Sequence, residues 1–124
     1  MTAEWRRLSK AKDLVLEEDA VVVRFSNGRS QRIAVEDLGD SYQLSTRVVR
    51  ASVIADSEEL ALMAWQRNRR TALVGFRLDA GGHLVANAWV PKAGLSASEF
   101  QLHLRVIGTE ADRFEYALTG NDRE

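Results

Sequence analysis

The fold is decided by residues 56–118, which read DSEELALMAWQRNRRTALVGFRLDAGGHLVANAWVPKAGLSASEFQLHLRVIGTEADRFEYAL. Along this stretch, start and stop signals mark a short helix, a two-stranded hairpin and a long helix, in that order. These signals predict an architecture, because each element has its own boundaries. They do not identify a biochemical activity, since the stretch contains no catalytic or ligand-binding motif.

The long helix has the strongest signals. Ser96 and Glu99 form an S-x-x-E capping box, in which each side chain pairs with a backbone amide that the first helical turn leaves without a partner. Downstream, apolar residues recur at steps of three or four: Phe100, Leu104, Ile107, Ala111, Phe114 and Leu118. At about 100° per residue these positions form one narrow stripe. The stripe predicts a helix with one buried face, which tolerates the cost of about 1 kcal/mol at Gly108 and ends near Gly120 and Asn121.

A hairpin is predicted ahead of this helix. Leu73–Asp79 and His83–Val90 are rich in β-branched, aromatic and aliphatic residues, and the Asp-Ala-Gly-Gly sequence between them suits a tight turn. Alternate residues of the second strand are apolar, which is typical of a sheet with one covered face. Pro91 has no amide proton and is expected to close the strand.

The shorter helix is predicted from Ser57 to Asn68. Its apolar residues do not form a single stripe, because Leu62 and Trp65 project roughly 140° or more away from Leu60 on a helical wheel. One apolar side can pack on the sheet. The other side needs cover from another segment or from a second chain.

The first half of the chain has weaker signals. Val21–Phe25 and Gln31–Val35 flank an Asn-Gly pair and predict a second hairpin. A third strand is expected within Tyr42–Ala51, where the alternation breaks at the Val-Val pair 48–49, and an amphipathic helix is expected within Thr2–Asp13. The predicted order is α-β-β-β-α-β-β-α, which indicates an α+β fold with an antiparallel sheet of about five strands flanked by helices.

The composition narrows the functional classes. The 124 residues suit a single domain, 1–124, with its own core. With 17 basic and 18 acidic side chains the net charge is −1, so no overall field attracts nucleic acid or an anionic membrane. The chain has no cysteine, and no apolar run reaches the ~20 residues that span a bilayer. We therefore expect a cytoplasmic protein that does not bind membranes.

Candidate chemistry is sparse. Glu99 and His103 are four residues apart, so a helix would place both on one side, but two ligands without a third make a weak metal site. The alternative reading, a helix cap and a helix-flank residue, outweighs it, and we predict neither a metal site nor a catalytic residue. A small ligand-binding or hydrolase domain, with a pocket between the sheet and the long helix using His83, His103 or paired carboxylates, stays open as an alternative.

A cluster of arginines is the best argument for nucleic acid. Arg67, Arg69 and Arg70 lie at the carboxyl end of the short helix, where positive charge also stabilises the helix dipole. Stabilisation of the helix end is the stronger interpretation of these arginines. Aromatic residues do not alternate with basic residues here, as they do in sheets that bind single-stranded nucleic acid. Binding of nucleic acid through this cluster is therefore a second alternative.

The order of elements and a set of apolar, turn and helical patterns resemble the YbjN-like branch of the type III secretion chaperone-like superfamily. The resemblance covers Asp56–Leu118 well and the first half only in the order of elements. The residues that carry it are Asn68, Leu73–Leu78, Gly81–Leu84, Pro91, Leu95–Phe100 and Ala111–Phe114.

The resemblance implies a homodimer assembled through the central helix and a neighbouring strand, no cofactor, and binding of an extended segment of another protein. Secretion chaperones tend to be acidic, so the nearly neutral charge favours the less specialised relatives. The sequence therefore predicts a non-enzymatic, homodimeric protein-binding module, chaperone-like or regulatory. The candidate dimer or partner interface consists of Leu62, Trp65, Phe76 and Trp89.

Overall fold

The chain has an α+β arrangement, in which runs of consecutive strands lie between the described helices. The computed structural model describes residues 4–49, 57–69, 71 and 73–119. In chain order the elements are α1 (Glu4–Leu8), β1 (Leu14–Leu16), β2 (Ala20–Arg24), β3 (Ser30–Asp37), β4 (Ser41–Val49), α2 (Ser57–Asn68), β5 (Gly75–Leu78), β6 (Leu84–Pro91) and α3 (Ala97–Thr119). The predicted fold class is confirmed, and β1 is an additional short strand ahead of the predicted hairpin.

All described strands join one antiparallel, six-stranded sheet in the order β1-β2-β3-β4-β6-β5. The longest strand, β4, has nine residues and lies inside the sheet between β3 and β6, which have eight residues each. The register of β4 against β6 shifts between Arg47 and Val49, where the alternation of the sequence breaks. This irregularity lets β4 keep both Val48 and Val49 buried.

One face of the sheet is covered by α3, and the core lies between them. The predicted stripe is buried there: Phe100, Leu104, Ile107 and Ala111 are 0% exposed and Phe114 is 1% exposed. Opposite the stripe lie buried residues of four strands: Val21, Ile33, Leu44, Leu84 and Val90. Burial of each large side chain contributes on the order of 1.5–3 kcal/mol, so the stripe dominates the stability of this layer.

The start of α3 has the predicted cap. The amide of Glu99 donates to Ser96 Oγ at 3.2 Å, and the amide of Ser96 donates to Glu99 Oε1 at 3.2 Å. The cap determines where the helix begins, because it satisfies amides that the helix itself cannot. The predicted terminators Gly120 and Asn121 lie outside the described residues.

Gly108 lies on the buried face of α3, where its nearest neighbours are Val23 of β2 and Phe25. A methyl group placed on Gly108 would lie 3.5 Å from the side chains of Val23 and Phe25, an ordinary contact distance. The glycine is therefore compatible with close packing of the helix on β2, but an alanine also fits.

Two ion pairs attach the first half of the chain to α3. Arg105 donates to both carboxylate oxygens of Asp13, at 2.8 and 2.9 Å, and this hydrogen bonding lowers the pKa of Asp13 below its ordinary value. Arg29, in the turn after β2, lies 2.7–2.9 Å from Asp112. Asp112 belongs to the helical motif that suggested the family, and its side chain holds the β2–β3 hairpin against α3.

The amino-terminal helix is shorter than predicted. The described helix α1 ends at Leu8, and the segment after it turns into β1, with the amide of Leu14 donating to the carbonyl of Ala11 at 3.2 Å. Trp5 is 4% exposed and anchors α1 to the core. Between Ser9 and Asp13 the predicted helix is thus replaced by a turn that leads into an edge strand, whereas Thr2 and Ala3 lie outside the described residues.

Candidate protein-binding surface

The central helix α2 lies along β5 and buries one side. Leu60 and Ala64 are 5% and 3% exposed and join the core. The guanidinium of Arg67 lies 4.6 Å from the centre of the Phe114 ring on α3. The acidic residues at its start and the basic residue at its end suit the helix dipole.

The opposite side of α2 is open to solvent. Leu62 is 53% exposed and Trp65 is 56% exposed, and a spacing of three residues makes them neighbours on the helix surface. The guanidinium of Arg69 lies 5.1 Å from the centre of the Trp65 ring, at the spacing of four residues that brings helical side chains together. We call Leu62 and Trp65 the α2 patch. The second apolar side that the sequence indicated is uncovered in the subunit.

The other two predicted interface residues lie elsewhere. The predicted interface position of Phe76 has to be corrected. Phe76 is 3% exposed and packs edge-on against Phe114 with ring centres 4.9 Å apart, so its side chain belongs to the core of the subunit and not to its surface. The alternation of β5 gave no sign of this, because the sequence does not tell which face of a strand α3 covers.

Trp89 is on the outer face of the sheet, opposite α3. It alternates along β6 with Ala88 and Val90, whose side chains are buried on the α3 side. Trp89 is 61% exposed and its Nε1 donates to Ser41 Oγ at 2.8 Å. Trp89 thus belongs to a strand, whereas the α2 patch belongs to a helix.

The arginine cluster does not form an open basic row. The described members, Arg67 and Arg69, lie over the rings of Phe114 and Trp65. Arg70 lies outside the described residues. This placement favours packing and helix-end stabilisation over contacts to phosphates.

The residues considered for catalysis or metal binding are dispersed. Glu99 Oε1 accepts the Ser96 amide within the cap, and the amide of His83 donates to Asp79 Oδ1 at 2.9 Å in the turn after β5. His103 Nδ1 is buried without a hydrogen-bond partner among the described residues. In that same part of the chain, no group of three or more His, Cys, Asp or Glu side chains is placed to hold a metal ion.

The layer between the sheet and α3 is filled by the fully buried stripe of α3. A surface depression of about 460 Å³ lies instead on the outer face, lined mainly by residues of β3 and β4 that include Ala34 and Ser45. Neither histidine lines it. None of the described helices combines the length and apolar composition that crossing a bilayer requires.

Comparison with known proteins agrees with the order of elements. The model of the YbjN family, described as "putative bacterial sensory transduction regulator", matches residues 7–119. No curated protein matches the sequence.

Three solved structures share the fold. A chain of the ExsC–ExsE complex superposes with a TM-score of 0.60 at 17% identity, over 90% of this chain and 91% of that one. A chain of the Yersinia pestis type III secretion chaperone SycH, solved with a stable fragment of YscM2, gives 0.52 at 12% identity, over 87% and 91%. A chain of the HopA1–SchA chaperone–effector complex gives 0.50 at 15% identity, over 82% and 80%.

These likenesses confirm the resemblance that the turns, apolar stripes and helical motif of the sequence suggested. At such low identities the solved structures establish the fold alone, whereas the family match covers most of the chain. The chain therefore belongs to the YbjN family, and it shares its fold with solved structures that include a type III secretion chaperone.

Proposed function

We propose that this protein is a non-enzymatic, cytoplasmic protein-binding module, chaperone-like or regulatory, that acts as a homodimer. The observation that carries the proposal is the exposed α2 patch on a helix whose other side is already buried. The fold neighbours supply a precedent for binding, since the three solved structures contain ExsE, a fragment of YscM2, or an effector with its chaperone.

The size of the patch supports a second chain as its cover. Scattered apolar residues on a surface are common, but two adjacent large ones at the centre of a helix are typical of an interface. Since a tryptophan buries about 150–250 Å² and Trp65 is 56% exposed, a partner can remove on the order of 100 Å² of it from water, or about 2.5 kcal/mol at roughly 25 cal/mol per Å². In a two-fold symmetric interface both copies bury their Trp65, so this contribution is made twice.

The charges along α2 favour a second copy of the same helix. The first turn contains Glu58 and Glu59, and the last turn and the residue after it contain Arg67 and Arg69. If two α2 helices pack antiparallel around a two-fold axis, the acidic end of each faces the basic end of the other. A parallel pair would bring like charges together, which is unfavourable.

Trp89 is proposed as an anchor for the partner polypeptide. It is the most exposed of the large apolar residues given above, and it lies on the outer face of the sheet, on a different element from the α2 patch. We expect dimerisation through α2 to leave Trp89 accessible, because Trp89 is not part of that helix. An indole with a bound NH and an exposed ring suits contact with an apolar side chain of another protein.

The dimer is tested by sedimentation equilibrium of two matched double variants. Leu62→Ala/Trp65→Ala removes the α2 patch. Leu102→Ala/Tyr116→Ala removes side chains of comparable exposure, 51% and 52%, from the solvent side of α3. We expect the wild type and the α3 variant to dimerise alike, and the α2 variant to dissociate with a Kd raised at least a hundredfold, the equivalent of about 2.7 kcal/mol.

Circular dichroism of each variant checks that the monomer stays folded, since the removed side chains are more than half exposed. A wild type that stays monomeric throughout the micromolar range contradicts the proposal. So does a dimer that is lost in the α3 variant and kept in the α2 variant.

A further inference from the structure

Strand β5 is at one edge of the sheet, where a further strand could in principle pair with its backbone. In the pairing of β5 with β6, Gly75 lies opposite Asn87 and Arg77 opposite Val85, and the amide of Asp79 donates to the carbonyl of His83. Hydrogen-bonded pairs alternate in an antiparallel ladder. The backbone groups of the residues between these pairs therefore point away from β6, toward the side of β5 on which no described strand pairs with it.

The side chain of Asn68 occupies this edge. Asn68 Oδ1 accepts the amide of Phe76 at 2.7 Å, and Asn68 Nδ2 donates to the carbonyl of Phe76 at 2.9 Å. A primary amide has the same donor and acceptor as a peptide group. Asn68, the last residue of α2, thus makes the pair of hydrogen bonds that one residue of an added antiparallel strand would make.

A second side chain acts beside it. Thr71 Oγ1 donates to the carbonyl of Val74 at 2.7 Å, two residues before Phe76 on the same edge. Three outward-facing backbone groups of the segment from Val74 to Phe76 are therefore already paired with side chains. At the opposite end of the sheet, β1 is only three residues long and offers few backbone groups to another strand. At the β5 edge, side chains hold the backbone groups that another strand would need.

We propose that Asn68, assisted by Thr71, closes the β5 edge to strand addition. Neither a second copy nor an extended segment of a partner can continue the sheet there while Asn68 is in place. Contacts at the α2–β5 end of the molecule are consequently made by side chains and not by a shared sheet. This inference is independent of the proposed dimer, because it concerns the backbone edge of β5 and not the α2 patch.

The test combines hydrogen exchange with a measurement of assembly. Asn68→Ala removes both hydrogen bonds to Phe76. We expect exchange of the Phe76 amide, followed by NMR, to accelerate about tenfold or more, the effect of losing one hydrogen bond. We also expect light scattering to detect assemblies larger than those of the wild type, growing with protein concentration, because an exposed edge pairs with other edges.

Two variants control this result. Gln66→Ala removes another exposed amide side chain from α2, and the exchange of Phe76 should not change. Asn68→Asp keeps an acceptor for the Phe76 amide but places a carboxylate beside the Phe76 carbonyl. This variant should keep the amide protected and should not assemble, since charge on an edge opposes strand pairing. It also gives a readout if Asn68→Ala does not fold.

The outcomes separate this inference from the dimer. Adding Asn68→Ala to Leu62→Ala/Trp65→Ala should still produce edge-driven assembly, even where the dimer is lost. Unchanged exchange at Phe76 in Asn68→Ala overturns the inference, as does equal acceleration in Gln66→Ala. Faster exchange without larger assemblies also overturns it, because Asn68 would then only attach α2 to β5. In Asn68→Asp, an unprotected Phe76 amide counts against the proposed hydrogen bond in the same way.

Discussion

Replacing Gly108 by alanine is predicted to stabilise the protein, although Gly108 is buried in the middle of α3. A methyl group there would lie 3.5 Å from Val23 Cβ and from Phe25 Cζ, which is normal van der Waals contact, so no neighbour has to move. Alanine is favoured over glycine inside a helix by about 1 kcal/mol, mainly because glycine loses more backbone entropy on folding. We therefore expect a gain of roughly 0.5–1 kcal/mol in the free energy of unfolding.

The same substitution at Gly94 should have the opposite sign. Gly94 has a φ of +71° in the loop before α3, a conformation that costs an alanine about 1–2 kcal/mol. Apart from its two chain neighbours, no atom of the described residues lies within 4 Å of a methyl group at this position, so the loss is due to backbone strain. The pair of variants thus separates the effect of conformation from the effect of packing.

Urea denaturation and thermal unfolding, followed by circular dichroism, measure both effects. For a chain of this length, Gly108→Ala should raise Tm by roughly 2–5 °C and should leave the denaturant slope unchanged. The reasoning is refuted if Gly108→Ala destabilises the protein by 1 kcal/mol or more. That result would mean that β2 approaches α3 more closely than the contact distances indicate.

Three further substitutions test the contacts that support the fold. Asp13→Asn should cost about 0.5–1 kcal/mol at neutral pH, because its ion pair is partly exposed and screened by solvent. Since the pKa of Asp13 is lowered in the folded state, this stabilisation is complete above its unfolded pKa of about 3.9 and fades as the pH falls through the folded pKa, so denaturation curves of wild type and variant should converge in acid. Ser96→Ala should cost about 1 kcal/mol through loss of the helix cap. Phe114→Ala should cost about 3–5 kcal/mol, visible as a lower urea midpoint, because its ring is buried against Phe76.

Local signals in the sequence predicted most of the second half. The helix Ser57–Asn68, the cap at Ser96 and the buried stripe of α3 are confirmed, because periodicity and capping act within a few residues of one another. The exposure of the α2 patch also agrees with the two-sided pattern of its helix.

The features that the sequence did not reveal depend on contacts between distant segments. Leu14–Leu16 is too short to show an alternating pattern, and it becomes a strand only because β2 pairs with it. Phe76 was predicted for an interface, but packing against Phe114 buries it. The role of Asn68 was hidden as well, because an amide at the end of a helix has no distinctive meaning until the topology places β5 at the edge of the sheet.

Hydroxyl-radical footprinting across a range of protein concentrations tests the central claim most directly. It reports the solvent access of Trp65 in the intact chain, with the exposed Tyr116 on α3 as an internal reference. If a second copy covers the α2 patch, oxidation of Trp65 should fall severalfold as the dimer forms, while oxidation of Tyr116 stays constant. Oxidation of Trp65 that is independent of concentration, in a sample shown by its mass to be dimeric, would contradict the account.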